Sequence, residues 1–210
     1  DLHSFPTRRS SDLWQNPFGY TAIEQNEAAA EEVRKYLQET GHQCHTGSAE
    51  NTGLADGCAT VVYGEAMLTM HPDHKKREIV REAARILRQG GRYGIHEVGL
   101  IPDDIDSSLK KEIQKELSRS IHIGASPLTL HEWQQLLESE GLTVKTIETE
   151  PFHLLEPKRL ITDEGFLGAL KFAANLMRNT NARNIVLDMK NVFRKYKTHM
   201  NGMVMVALKP

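Results

Sequence analysis

Four side chains carry most of the chemical promise of this sequence: Glu24, Glu65, His96 and Glu97. Each falls where a run of β-prone residues ends. A carboxylate in such a place accepts hydrogen bonds from two adjacent donors, and a histidine can take a proton near neutral pH. The pairs His42/His45 and His71/His74 have H-x-x-H spacing, but neither has a third ligand at helical spacing, so surface histidines are expected and no metal site.

Elements that would position these groups follow from periodicity. Tyr20 to Ile23 is a short β-prone run ending at Glu24, and Asn26 caps a helix expected over Glu27 to Thr40, stopped by Gly41. The turn Ala55-Asp56-Gly57 precedes a β-branched run, Ala59 to Tyr63, that ends at Gly64-Glu65. Pro72 opens a helix carrying Ile79, Val80, Ala83, Ile86 and Leu87, stopped by Gly90-Gly91. Arg92 to Val98 is the next predicted strand. Leu109, Ile113 and Leu117 mark an amphipathic helix, and Thr129 with Glu132 forms a capping box for a helix burying Leu130, Trp133, Leu136 and Leu137. Leu142 to Ile147 alternates as a strand. Two helical patterns fill 151–199, the second with Ile185, Val186, Met189, Val192, Phe193 and Tyr196, and Gly202 to Leu208 is a final strand.

Single helices between strands predict right-handed crossovers and a parallel sheet, an α/β doubly wound, Rossmann-like fold. The 210 residues suit one domain. With 26 basic against 28 acidic residues the net charge is -2, which gives no field to gather nucleic acid or anionic lipid. A small-molecule substrate is therefore expected, with no nucleic-acid or membrane partner; oligomeric state stays open. Two cysteines, Cys44 and Cys58, fit a reducing cytoplasm.

The order strand–acid–helix, polar turn with an acid, apolar strand, helix, Gly-Gly and strand resembles the class I S-adenosylmethionine-dependent methyltransferases over Tyr20 to Ile147. YTAIEQN is similar to that family's second strand, which implies that Glu24, followed by Gln25, meets both ribose hydroxyls of S-adenosylmethionine. GSAENTGLADGCATVVYGEAML is similar to its third and fourth motifs. This implies adenine contacts from Ser48, Ala49 and Glu50, with Gly64 beside the cofactor and Glu65 facing the substrate. Ser48 stands where many relatives have Asp, which weakens that contact. ILRQGGRYGIHEVGL is similar to the family's helix, double-Gly turn and fifth strand, so His96, a candidate general base, and Glu97 stand near the substrate.

The resemblance implies methyl transfer to a small molecule. The alternative is a non-catalytic regulator or scaffold that binds cofactor through the same fold. An NAD-dependent enzyme would also use a strand-end acid, but the Ala49-Glu50 turn fits it poorly. The tail KNVFRKYKTHMNGMVMVALKP looks like bacterial family members.

Residues 1–13, DLHSFPTRRSSDL, resemble codon for codon the translation of a short-read sequencing adaptor. The expected organisation is then an artefact over 1–13, an incomplete cofactor-binding core over 14–150, a helical cap over 151–199 and a last core strand over 200–210. The family's glycine-rich loop after the first strand has no counterpart before Tyr20, so the chain as written is expected to bind cofactor weakly and to be an inactive fragment. Phe152, His153, Phe166, Phe172 and Met177 would line the cap, and Arg178 to Lys197 is a basic, solvated face.

Overall fold

The computed structural model describes residues 19–37, 42–151 and 180–210, and divides the chain into two compact units, Asp1–Leu54 and Ala55–Pro210. The adaptor-like stretch, the stop at Gly41 and the proposed cap-lining residues from Phe152 to Met177 lie outside the described residues.

In the first unit, strand β1 (Thr21–Glu24) leads into helix α1 (Glu27–Leu37), and strand β2 (Gln43–Thr46) returns parallel to β1 with Glu24 opposite Thr46. The Asn26 side chain accepts the Ala29 N–H at 3.1 Å, the cap its residue type predicts. Arg34 ties helix to strand: its Nε donates to the Cys44 carbonyl at 3.1 Å and its guanidinium pairs with Glu27 at 2.7 Å.

The second unit is built on a mixed sheet. Its elements are β3 (Ala59–Glu65), a 3-10 turn (Leu68–Met70), α2 (Asp73–Ile86), β4 (Leu87–Leu100), α3 (Ser107–Ile121), β5 (Leu128–Thr129), α4 (Leu130–Ser139), β6 (Thr143–Pro151), α5 (Thr180–Lys195) and β7 (Met200–Leu208). The strand order is β3-β4-β7-β6, with β5 beside the end of β4.

Alternation along β4 sends Tyr93, Ile95 and Glu97 to a buried face, where Met203, Met205 and Ala207 of β7 join them. Ile79, Val80 and Ala83 of α2 with Trp133, Leu136 and Leu137 of α4 complete that core. A second cluster packs α3 on α5 through Ile113, Leu117, Val192, Phe193 and Tyr196, over Leu100 and Met200. The basic residue Lys195 of α5 is engaged by Glu112 and Glu116 of α3 at 3.1 and 2.7 Å.

The capping box at α4 is present in full: the Thr129 hydroxyl accepts the Glu132 N–H, and the Glu132 carboxylate accepts the Thr129 N–H. Two expectations change. The sheet is not all parallel, because β7 lies antiparallel between β4 and β6. Helix α2 ends at Ile86 rather than at Gly90-Gly91, and its last turn is closed by Lys209, whose ammonium donates to the carbonyls of Ala84 and Leu87, both at 2.7 Å. The pairing of β3 with β4 slips between Ala59 and Val61, and Gly90, at φ 73°, lies within the slip. Regular pairing resumes at Arg92, where the strand was expected to start.

Candidate functional site

In the first unit the end of β1 and the turn after β2 adjoin. The Gly47 N–H donates to the Glu24 carbonyl at 3.0 Å, so the parallel register carries the chain from opposite Glu24 straight into the Ser48 turn. Glu24 is half-buried and one carboxylate oxygen accepts the Asn26 N–H at 2.8 Å. A carboxylate has about four lone-pair sites, so acceptor capacity remains for a pair of hydroxyls. Gln25 beside it is exposed. The Asn51 N–H closes the turn on the Ser48 carbonyl at 3.1 Å, and the Ser48 hydroxyl donates to the Glu50 carboxylate across Ala49. Glu24, Ser48, Ala49 and Glu50 thus share the C-terminal edge of one two-stranded parallel sheet, the edge at which open α/β sheets take ligands.

Gly64, Glu65, His96 and Glu97 belong to the second unit: Gly64 and Glu65 end β3, whereas His96 and Glu97 lie within β4, short of its end at Leu100. Gly64 pairs with Ile95 and Glu65 with His96. A Cβ at Gly64 would stand 3.0 Å from Met67 Sδ, so the Met67 side chain lies close over this strand end. The His96 Nδ1 lies 3.4 Å from Glu65 Oε1, and both side chains are about half exposed. The bond from His96 holds the Glu65 carboxyl below the usual carboxylate range, against the opposing effect of partial burial. Ala66 then turns the chain with φ 51°, a backbone region that side chains seldom adopt, and its N–H donates to the His96 carbonyl at 2.8 Å.

Glu97 points to the opposite face of β4. It is 3% exposed, and its carboxylate accepts four bonds: the N–H groups of Met67 (3.0 Å) and Leu68 (2.7 Å) on one oxygen, and the N–H (3.0 Å) and hydroxyl (2.7 Å) of Thr69 on the other. Burial pushes this carboxyl up, and the four donors act against that rise. The geometry makes Glu97 a clamp on the turn after Glu65.

Three residues not expected from the sequence extend the clamp. Thr69 donates to Glu97, and its carbonyl accepts the Ser126 N–H at 2.7 Å. Lys76 is fully buried, donates to the Ser126 carbonyl at 2.7 Å and to Asp73 at 2.9 Å, and lies 5.6 Å from the Trp133 ring. Desolvation lowers the Lys76 ammonium from the ordinary lysine value, although Asp73 opposes it. The signal was available: Lys76 shares the spacing of Ile79, Val80 and Ala83, which puts a cation on the apolar stripe of α2. The Trp133 indole N–H is satisfied by the Val98 carbonyl at 3.0 Å. Among the described residues no group of three or more His, Cys, Asp or Glu could hold a metal ion, and no helix is long and apolar enough to cross a membrane.

The chain aligns with the geranyl diphosphate methyltransferase in complex with S-adenosylmethionine at TM-score 0.64 and 14% identity, over 90% of this chain and 68% of that one. The chain is built on the class I methyltransferase fold. The same fold relates it to the cyclase SpnF at TM-score 0.69 and 13% identity, over 97% of this chain and 71% of that one. Residues 8–95 match the family described as Methyltransferase domain, a span that holds Glu24, the Ser48 turn, Gly64 and Glu65. A Haemophilus influenzae protein described as uncharacterized is 29% identical over 173 residues, 82% of this chain. The chain spans 64% of that relative's length.

Proposed function

We propose that the protein transfers a methyl group from S-adenosylmethionine to a small-molecule acceptor. The observation that carries this reading is the Glu24 carboxylate: it ends a parallel strand, keeps acceptor capacity after binding Asn26, and is tied through Gly47 to the Ser48 turn. A ribose diol offers the two adjacent donors that such a group accepts. Gln25 flanks the diol, and Ser48, Ala49 and Glu50 line the adenine. The internal Ser48–Glu50 bond ties that turn together.

When bound, the cofactor supplies a methyl carbon already activated by a sulfonium, so the protein's work is alignment and exclusion of water. Gly64 lets Met67 close over the end of β3, and Glu65 and His96 face the acceptor. Glu97 is a positioning residue, fixing the turn from Met67 to Thr69 and with it the direction in which Glu65 leaves the sheet. The neighbours' names support the cofactor and a small-molecule acceptor, since one was captured with S-adenosylmethionine and acts on geranyl diphosphate.

Calorimetric titration of the full-length protein with S-adenosylhomocysteine tests the reading. Micromolar retention is expected, weakened at least tenfold by Glu24→Ala. No retention by a folded full-length protein overturns it.

A further inference from the structure

At the end of the second unit's sheet remote from the turn after Glu65, a cleft of about 400 Å³ opens over β4, β7 and β6. That volume falls within the range of small-molecule sites, about 300–1,000 Å³. Its lining is Arg92 of β4, Lys145 and Thr146 of β6, and Val206, Ala207 and Leu208 of β7. Register sets the two cations on either side of β7: Arg92 pairs with Leu208, and Leu208 with Thr143, two residues before Lys145. Two strand spacings separate their backbones by about 10 Å, a gap that two long side chains can close around one ligand. Lys145 is the extra residue of a bulge, since the pairing of β6 slips between Val144 and Thr146, and bulges re-aim the side chains they carry. Val206 and Leu208, half-buried, lie between the cations. Among the described residues neither Arg92 nor Lys145 makes a side-chain hydrogen bond or ion pair, and no carboxylate lines the cleft. Arg34, Arg81, Arg85 and Lys195, by contrast, are each held by a carboxylate.

We propose that this cleft binds a phosphomonoester of a small organic molecule, at a site separate from the strand end that carries Glu65. A phosphate dianion balances the two cations and offsets their mutual repulsion. The Arg92 guanidinium offers paired N–H donors that match two phosphate oxygens, while the Lys145 ammonium and the Thr146 hydroxyl suit the third. A carboxylate has only two oxygens, so the guanidinium fork would take both and leave Lys145 unpaired. Val206 and Leu208 give the organic portion an apolar floor, the mixture of a few convergent polar groups on an apolar wall that small-molecule sites share. Occupancy of this cleft is independent of the methyl-transfer reading, whose residues it does not use.

Titration of the nitrogen-15-labelled full-length protein with phenyl phosphate, inorganic phosphate and phenol, followed by backbone amide shifts, tests the assignment. Phenyl phosphate is expected to give saturable shifts centred on Arg92, Lys145, Thr146, Val206 and Leu208. Inorganic phosphate should bind the same residues about threefold more weakly, for want of the apolar contact, and phenol should not saturate. Arg92→Gln and Lys145→Gln should each weaken phenyl phosphate about fivefold, the double variant should show no saturation, and added salt should weaken the wild type. Both side chains are exposed, so the variants are expected to fold, which an unchanged Tm checks. Vesicles containing phosphatidate, a lipid phosphomonoester, identify the source of the phosphate. Co-sedimentation that the double variant loses supports a lipid-borne ester at this site, and saturation by phenyl phosphate without co-sedimentation supports a soluble one. Shifts that fall elsewhere or fail to saturate, phenol or inorganic phosphate binding as tightly as phenyl phosphate, or a folded double variant that binds as the wild type does overturns the proposal.

Discussion

Replacing Glu97 with Gln tests the role assigned to it more sharply than any change at the exposed edge. The amide keeps one acceptor oxygen, which can hold the N–H groups of Met67 and Leu68. Its NH2 then faces the Thr69 N–H, which loses its acceptor, while the Thr69 hydroxyl can reverse and accept. A buried N–H left without a partner costs about 1–3 kcal/mol, and bonds to a neutral acceptor are each weaker by about 1 kcal/mol than bonds to a charged one. Relief of the desolvation that raises the Glu97 carboxyl offsets part of this, so a net loss of roughly 2 kcal/mol is expected. For a unit of this size each kcal/mol moves Tm by about 2–4 °C. Glu97→Gln should therefore melt about 4–8 °C lower by calorimetry. Amide hydrogen exchange should localise the damage, with Met67, Leu68 and Thr69 losing protection while the amides of β7 keep it. A Tm within 1 °C of wild type together with unchanged protection at those three amides would refute the clamp.

Further predictions follow from the same contacts. Thr129→Ala removes half of the capping box and is expected to cost about 1–2 kcal/mol, read as a lower urea midpoint at constant m. Lys76→Met keeps the stem packed on Trp133 and should cost about 1 kcal/mol, for the Ser126 carbonyl it strands, against about 3 kcal/mol for Lys76→Ala; equal losses would show that the stem contributes nothing. Gly99→Ala puts a Cβ 2.4 Å from the buried Asn201 Oδ1 and 3.1 Å from Leu130 Cδ2, so a loss of about 2 kcal/mol in chemical denaturation is expected. Partial burial raises the Glu132 carboxyl, but the Lys110 ammonium and the bonds at Thr129 outweigh it and hold the carboxyl below its ordinary 4.5. That depressed value makes the group stabilising above the ordinary pKa and less so as pH falls through the folded one. Lys110→Met should therefore flatten the loss of stability as pH falls below the ordinary 4.5, and an unchanged acid profile would count against the pairing.

What could be read from the sequence was what depends on near neighbours. The Thr129/Glu132 box and the Asn26 cap need only residue types three apart, and both formed as the spacing demands. The helices carrying Ile79 and Val80, Ile113 and Leu117, and Val192 and Phe193 were visible because apolar residues recur at helical intervals. Strand direction was not, since alternation along Gly202 to Leu208 looks the same from either end; only pairing with β4 and β6 reverses it. The end of α2 was misplaced by four residues because its cap comes from Lys209, more than a hundred residues on. At the site, Glu65 ends its strand as expected, but β4 runs on to Leu100, so His96 and Glu97 lie inside the strand rather than at its end, and which residue faced which could not be read from the sequence. Register joins Glu65 to His96, and alternation turns Glu97 inward to donors 28 to 30 residues earlier.

The reversed strand also governs when the second unit can assemble. Because β7 is the only strand joining β6 to β4 among the described residues, β3, β4 and β5 can pair as soon as they are made, while β6 has no neighbour until Met200–Leu208 is available. A growing chain therefore passes through a stage in which the flank of β4 and both flanks of β6 offer unsatisfied backbone groups to other chains. Expression at lower temperature, or with a holdase present, should raise the soluble yield by shielding that stage, and truncation ahead of residue 200 should shift the product towards aggregates.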